Sequence, residues 1–213
     1  MATTDKSSWA LLDTDLTTQL AILPVAQSHL YFELSEPGSG ELKIPLDSVA
    51  AGLVSVGMFC QLSYRGSIRG GFFVDNIAEA MADSSEGGGR WMSLSGQGGL
   101  ALLDRDIVRD DGTGATTRAF TAKTKGFILK TFIDEDKATT PAGLAALTYD
   151  ADLATEDTAT NAWQDSENYS FNVGLSLLDL TRQFANVGYE FNINLSGGSF
   201  LLETFRNTEG GDH

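Results

Sequence analysis

Residues Trp91 to Val108 read WMSLSGQGGLALLDRDIV. Met92 and Leu94 stand on one side of an extended segment, and this alternation breaks at Gly96, Gly98 and Gly99. Leu100, Leu103 and Ile107 then recur at helical spacing, so the stretch predicts a strand that turns abruptly into a short helix. Upstream of it lie strand-like segments separated by glycine turns. Downstream lie two amphipathic helices and a hairpin. The stretch therefore reads as a hinge between two domains, 1–96 and 97–206, with a polar run at 207–213 beyond them.

Gly96, Gly98 and Ala101 also match G-x-G-x-x-A, the turn that lays a dinucleotide pyrophosphate on a helix N-terminus. That chemistry needs a longer helix, a second parallel strand close behind and an acid for the ribose. Here Asp110-Asp111-Gly112-Thr113-Gly114 signals a loop within a few turns and no apolar strand follows at once, so the glycines read as a structural corner.

In the first domain, Trp9 to Ile22 is apolar but irregular. Leu30 to Leu34 predicts a strand, Glu36 to Gly40 a turn, and Leu42 to Leu46 the return strand, placed at a sheet edge because Pro45 lacks an N–H. Met58 to Tyr64 is the next strand and Arg65-Gly66-Ser67 its turn. Ile68 to Met81 predicts one long strand with a bulge at Gly70 and Gly71, ended by Glu86 to Gly89 before Trp91 to Ser95 returns. Several short strands with tight turns predict an antiparallel barrel or sandwich, and closure into a barrel is the simpler way to protect the edges.

In the second domain, Gly126 to Asp136 places Phe127, Ile128, Thr131 and Phe132 on one helical face. Thr139 to Asn168 predicts a long loop with a short strand at Leu144 to Tyr149. Leu177, Leu180, Phe184 and Val187 predict a second helix closed by Gly188. Tyr189, Phe191, Ile193 and Leu195 alternate with polar residues as a half-buried strand, which a turn at Ser196 to Ser199 joins to Phe200 to Phe205. The fold class expected is α+β: an N-terminal antiparallel β-barrel, then a small α+β domain of two amphipathic helices and a C-terminal hairpin.

The 213 residues carry a net charge of −15 and a pI near 4.3, against a groove that grips nucleic acid. Acidity suits a solvated surface, or a channel that DNA must cross without sticking. Cys60 is the single cysteine, which leaves no intrachain disulfide, and on its strand face it reads as a buried structural thiol. His29 and His213 are the only histidines, too few for a zinc site or a Ser-His-Asp set, and no P-loop or nucleophile-elbow motif is present. Asp104/Asp106, Asp110/Asp111 and Asp134/Glu135/Asp136 could supply an acid and a base, but among 29 acids such pairs read as solvated faces, and Asp110, Asp111 and Asp150 with Asp152 could bind calcium, yet none shows the twelve-residue loop pattern. No catalytic, cofactor-binding or metal-binding residue is assigned, and no enzyme is expected. The N-terminal MATTDKSSW does not read as a signal peptide, and no apolar run is long enough to span a membrane.

Taken in order, Ser95 to Val108, Lys125 to Leu129, Gly174 to Leu180 and Gly188 to Phe191 give the chain a likeness to a known family. It resembles the tail-hub proteins, also called baseplate-hub or minor tail proteins, of long-tailed double-stranded DNA phages. The motifs are packing and turn motifs, so the resemblance carries no active site. It implies a tail-tube-like barrel and a structural role at the virion's tail tip. It also implies a homotrimeric ring that continues the tube, with the distal tail protein or tail tube, the tape-measure protein and tail-fibre or receptor-binding proteins as partners. DNA would only pass through the ring. The chain departs from the family in ending where a second barrel is expected. A carbohydrate- or receptor-binding module, with Trp91, Trp163 and Tyr169 exposed in one cleft, and a virion hydrolase using paired acids are the alternatives.

Overall fold

A computed structural model describes residues 7–81, 89–139, 144–163, 166–196 and 199–206, the side chains of residues 80, 81 and 196 apart. The turn expected at Glu86 to Gly88, the centre of the turn at Gly197-Gly198 and the run 207–213 lie outside the described residues. The chain divides into two compact units. The first holds Met1–Glu33, Pro37–Gly99 and Asn194–Phe200, and the second holds Leu34–Glu36, Leu100–Ile193 and Leu201–His213.

The first unit is built from eight strands: β1 Ser7–Leu12, β2 Gln19–Leu23, β3 Gln27–Glu33, β4 Glu36–Pro45, β5 Phe59–Tyr64, β6 Ser67–Phe73, β7 Asn76–Met81 and β8 Arg90–Gln97. They form two four-stranded sheets, ordered β2-β1-β5-β6 and β3-β4-β8-β7. The turn between β5 and β6 shows why this chain makes hairpins. Arg65 and Gly66 both have positive φ, 51° and 80°, and two such central residues twist a two-residue turn in the sense of the strands it joins. The two sheets share one core, to which Leu11, Cys60 and Phe72 come from the first and Leu42, Ile44 and Leu94 from the second. Phe59, Phe73 and Phe200 form a ring cluster with centroids 4.9, 5.0 and 6.0 Å apart.

The expected closed barrel is not formed. The outer strands of each sheet, β2 with β6 and β3 with β7, are not hydrogen-bonded to one another, and β6 meets the end of β8 only through an isolated bridge at Phe72 and Gly98. Ile68 to Met81, expected as one long strand, is two strands. At Val74-Asp75 the chain leaves the first sheet for the second: the Val74 amide still donates to Met58, and the Asp75 amide already donates to Ser95. Val74-Asp75 is thus a corner at which the chain passes from one sheet to the other. The bulge expected near Gly70 is present as a register shift between Leu62 and Ser63.

Two further expectations are corrected. The turn after β3 is Leu34-Ser35, with Ser35 at φ 61°, so Glu36 to Gly40 already belongs to β4. β4 is an interior strand, and Pro45 is tolerated because it is the strand's last residue.

Beyond β8, Gly99–Arg105 is a 3-10 helix rather than an α-helix. It buries Leu100, Leu102 and Leu103 and leaves Ile107 exposed past its end. The corner glycines answer to close backbone approach. A Cβ on Gly96 would lie 1.9 Å from the Phe73 carbonyl oxygen, and one on Gly98 2.0 Å from that of Pro37.

In the second unit, β9 Thr117–Lys123 pairs with β11 Glu167–Asn172, and β10 Leu147–Tyr149 lies beside the hairpin of β12 Tyr189–Ser196 and β13 Ser199–Arg206 in the order β10-β13-β12, the tip of that hairpin, Asn194–Phe200, being counted with the first unit. Two helices complete it, α1 Lys125–Lys137 and α2 Leu177–Ala185, and the Thr124 and Ser176 hydroxyls cap them by accepting the amides of Phe127 and Asp179. α1 buries Ile128, Leu129, Phe132, Ile133 and Asp136, while Phe127 and Thr131 flank that face. α2 ends two residues earlier than expected, which leaves Val187 exposed after the Asn186 C-cap. β12 alternates as expected, with Tyr189, Phe191, Ile193 and Leu195 buried. The chain is thus mostly β with two α-helices among the described residues.

Candidate functional site

The feature of the first unit that asks for a partner is β3. In its sequence QSHLYFE every residue but Leu30 is exposed, and Leu30 alone leans on the core. β3 is an outer strand, hydrogen-bonded to β4 on one side. Tyr31 is 61% exposed, Phe32 60% and, at the following turn, Leu34 58%. Phe32 is positioned by a glycine: a Cβ on Gly70, whose φ is +141°, would lie 2.5 Å from the Phe32 ring. A solvent-facing sheet edge is ordinarily blunted by lysine, proline or a bulge, because its unpaired amides and carbonyls template the addition of another strand. β3 has no lysine or proline, and the Tyr31 and Phe32 rings just before its last residue, Glu33, are exposed. It can accept a strand along its free edge and bury aromatic rings in doing so.

The acidic groups singled out in the sequence are not brought together as a catalytic pair. Asp104 is exposed, whereas Asp106 is buried, against the expectation of a solvated face. Asp106 Oδ1 accepts from Arg109 at 2.7 and 3.2 Å, and the same guanidinium donates to Asp136 Oδ1 at 2.9 Å. Asp136 Oδ2 accepts the Leu144 amide. The run Asp134-Glu135-Asp136 points three ways. Asp136 takes Arg109, and Glu135 takes Arg118 at 2.6 Å, whose guanidinium also lies about the Phe120 and Phe132 rings. Asp134 takes Lys130 at 2.5 Å and the Tyr149 hydroxyl. Arg109 is held more firmly protonated than usual, first by its hydrogen bond to Asp106, and Arg118 likewise by Glu135. Asp134 and Glu135 each pair with a separate cation and Asp136 shares Arg109 with Asp106, an arrangement that holds α1 in place. Asp110 and Asp111 close a local turn on Thr113 and Gly114.

Sequence reasoning missed two groups. Asp157, buried, accepts the amides of Asn161 and Arg206 at 2.7 and 2.9 Å and so pins a loop to β13. Burial opposes its ionisation, yet those amides outweigh it and hold the carboxyl below the usual range. Arg182 grips Glu36 through its Nε and Nη2 and also reaches Asp179 at 2.9 Å. Nothing local in the sequence around Asp157, Glu36 or Arg182 separates these partnered roles from solvated ones.

Among the described residues no group of three or more His, Cys, Asp or Glu side chains could hold a metal ion, and no helix is long and apolar enough to cross a membrane. Exposed His29 contacts Gln27 at 3.0 Å, and His213 lies outside the described residues. Cys60 is buried, which pushes its thiol up to about 12. Trp163 is buried, donates its indole N–H to the Leu153 carbonyl at 2.8 Å and stacks on Tyr189. Tyr169 stacks on Phe171, and Trp91 is half-buried on β8.

No protein-family model matches the sequence, and no curated protein matches it either. Solved structures do. The 43 kDa tail protein of prophage MuSo2 from Shewanella oneidensis superimposes with a TM-score of 0.52 at 12% identity, over 94% of this chain and 54% of that one. The fold is one found in phage tail proteins. A tail protein from Neisseria meningitidis MC58 matches with a TM-score of 0.51 at 13% identity, over 92% of this chain and 50% of its own. The c3393 protein of E. coli, a type VI secretion component described as similar to the T4 bacteriophage tail proteins gp27 and gp5, matches with a TM-score of 0.51 at 13% identity, over 90% and 50%. The chain spans about half the length of these structures.

Proposed function

We propose that this chain is a structural, non-enzymatic subunit of a phage tail, forming the hub at the tail tip as a homotrimeric ring that continues the tail tube. The observation that carries this reading is the fold shared with tail proteins along almost the whole chain. The open β3 edge supports ring formation, because a neighbour's strand would satisfy its backbone and cover Tyr31 and Phe32. In the ring the chain meets the distal tail protein or tail tube, the tape-measure protein and fibre or receptor-binding proteins, and DNA passes through without being gripped. The net charge of −15 favours that passage, with more of it facing the channel than the outside. Pairing of Asp106, Asp134, Glu135 and Asp136 with cations favours scaffold over catalysis. Burial of Trp163 removes one ring from any glycan-binding cleft.

Light scattering at low and high salt tests this. The wild-type chain is expected at three times its 22.7 kDa mass, more completely at high salt, where repulsion between acidic copies is screened. Tyr31→Lys with Phe32→Lys, at exposed positions, is expected to give a monomer with an unchanged circular-dichroism spectrum. A wild-type monomer in both buffers, or a trimer untouched by the double substitution, would overturn the reading of β3 as the ring contact.

A further inference from the structure

The first unit carries a second apolar surface besides the β3 edge. It lies in the connection from β4 to β5, where Val49 is 87% exposed and Leu53 and Val56 are exposed with it. β2 runs beside this connection, and its Ile22 is exposed too. The connection holds these side chains outward by burying Ala50 and Ala51 in the core at a 3-10 turn, Ala51–Leu53. Ser48 fixes the entry to that turn: its hydroxyl donates to the Pro45 carbonyl at 2.7 Å and accepts the Ala51 amide at 3.2 Å. The surface is therefore formed before any partner arrives, which lowers the ordering cost of docking. Among the described residues β2 is an outer strand, so its edge is open as that of β3 is.

We infer that the strand added to β3 is β2 of a second copy, so that copies join head to tail with the aliphatic connection of one over the Tyr31 and Phe32 rings of the next. This rests on the ring reading and names the other half of its contact. A ring closed by rotation needs two different surfaces on each copy, one for each neighbour. Of the other outer strands β2 fits best. Its sequence QLAIL has no charged residue, proline or glycine to oppose pairing. β7 carries Glu79, like in charge to Glu33 of β3, and Gly70 of β6 is already covered by the Phe32 ring of its own copy. The charges around the two surfaces are complementary. Asp47 is exposed at the start of the aliphatic connection, and Arg69 is exposed next to Gly70, on the aromatic side. Neither has an ion-pair partner among the described residues. In a chain of net charge −15, an exposed arginine without a carboxylate marks where an acidic surface of another copy can settle, and Asp47 supplies one.

The test measures mass by light scattering over a concentration series for three full-length chains: the wild type, Val49→Lys with Val56→Lys, and Tyr31→Lys with Phe32→Lys. All four positions are exposed, so unchanged circular-dichroism spectra are expected. Each double variant is expected at 22.7 kDa, and a 1:1 mixture of the two at twice that mass. In the mixture the intact β2 side of one variant meets the intact β3 side of the other, and the blocked sides stop further growth. Asp47→Arg is expected to weaken assembly several-fold, and Arg69→Asp in the same chain to restore it. A Val49/Val56 variant that assembles like the wild type, or a mixture that stays monomeric, would overturn β2 as the partner and leave the ring reading standing. A wild-type chain that stays monomeric would overturn both. Losses that add in the Asp47/Arg69 double variant would overturn the pairing of those two charges.

Discussion

Replacing Arg109 by methionine leaves two buried carboxylates without their shared cation. The Asp106 side chain is 2% exposed and that of Asp136 fully buried, whereas Arg109 is 38% exposed. Removing one partner of a fully buried ion pair costs about 3–5 kcal/mol, because the other charge is stranded away from water. Here solvent reaches the guanidinium side, and Asp136 keeps the Leu144 amide, so about 2–4 kcal/mol is expected. For a chain of this size that corresponds to a melting temperature lower by about 5–15 °C. Urea unfolding followed by far-ultraviolet circular dichroism and by fluorescence of Trp163, buried in the same unit, measures it. Asp106→Asn in the Arg109→Met background removes one stranded charge and is expected to restore about 1 kcal/mol or more, a coupling typical of residues in one network. A loss under about 1 kcal/mol for Arg109→Met, with no coupling to Asp106, would show that water already solvates both carboxylates and would refute the reasoning.

Asp157 and Gly96 give two more measurable outcomes. Asp157 has a native pKa below its ordinary 3.8, so its stabilisation is complete above about pH 4 and is lost as pH falls through the depressed native value. Asp157→Asn should therefore be less stable at neutral pH and flatter between about pH 5 and pH 2, and equal slopes for variant and wild type would count against this. Gly96→Ala forces a Cβ to 1.9 Å from the Phe73 carbonyl oxygen and is expected to cost about 2–3 kcal/mol in a melt, whereas Gly52→Ala, with nothing within 4 Å, should be silent.

What could be read from the chain alone was whatever rests on local pattern. The β12–β13 hairpin showed itself through alternation of Tyr189, Phe191, Ile193 and Leu195, and α2 through Leu177, Leu180 and Phe184 with Ser176 before them, because one buried face imposes its period directly on neighbouring residues. Cys60 could be recognised as a buried thiol for the same reason. β9 went unnoticed, since TRAFTAK fully buries only Phe120 and shows no period. The barrel was the larger error: Ile68 to Met81 has the composition of one continuous strand, and nothing local tells that Val74 pairs in one sheet and Asp75 in the other. The roles of the acids were equally hidden. Asp104 and Asp106 differ by two positions and by nothing in chemistry, yet one faces water and the other holds Arg109 beside Asp136, far along the chain. Sequence by itself determined the periods and the Arg65-Gly66 turn, because these depend on neighbours along the backbone. Only the tertiary structure decided which sheet each strand joins, which edge stays open and which charges are buried, because those depend on partners distant in sequence.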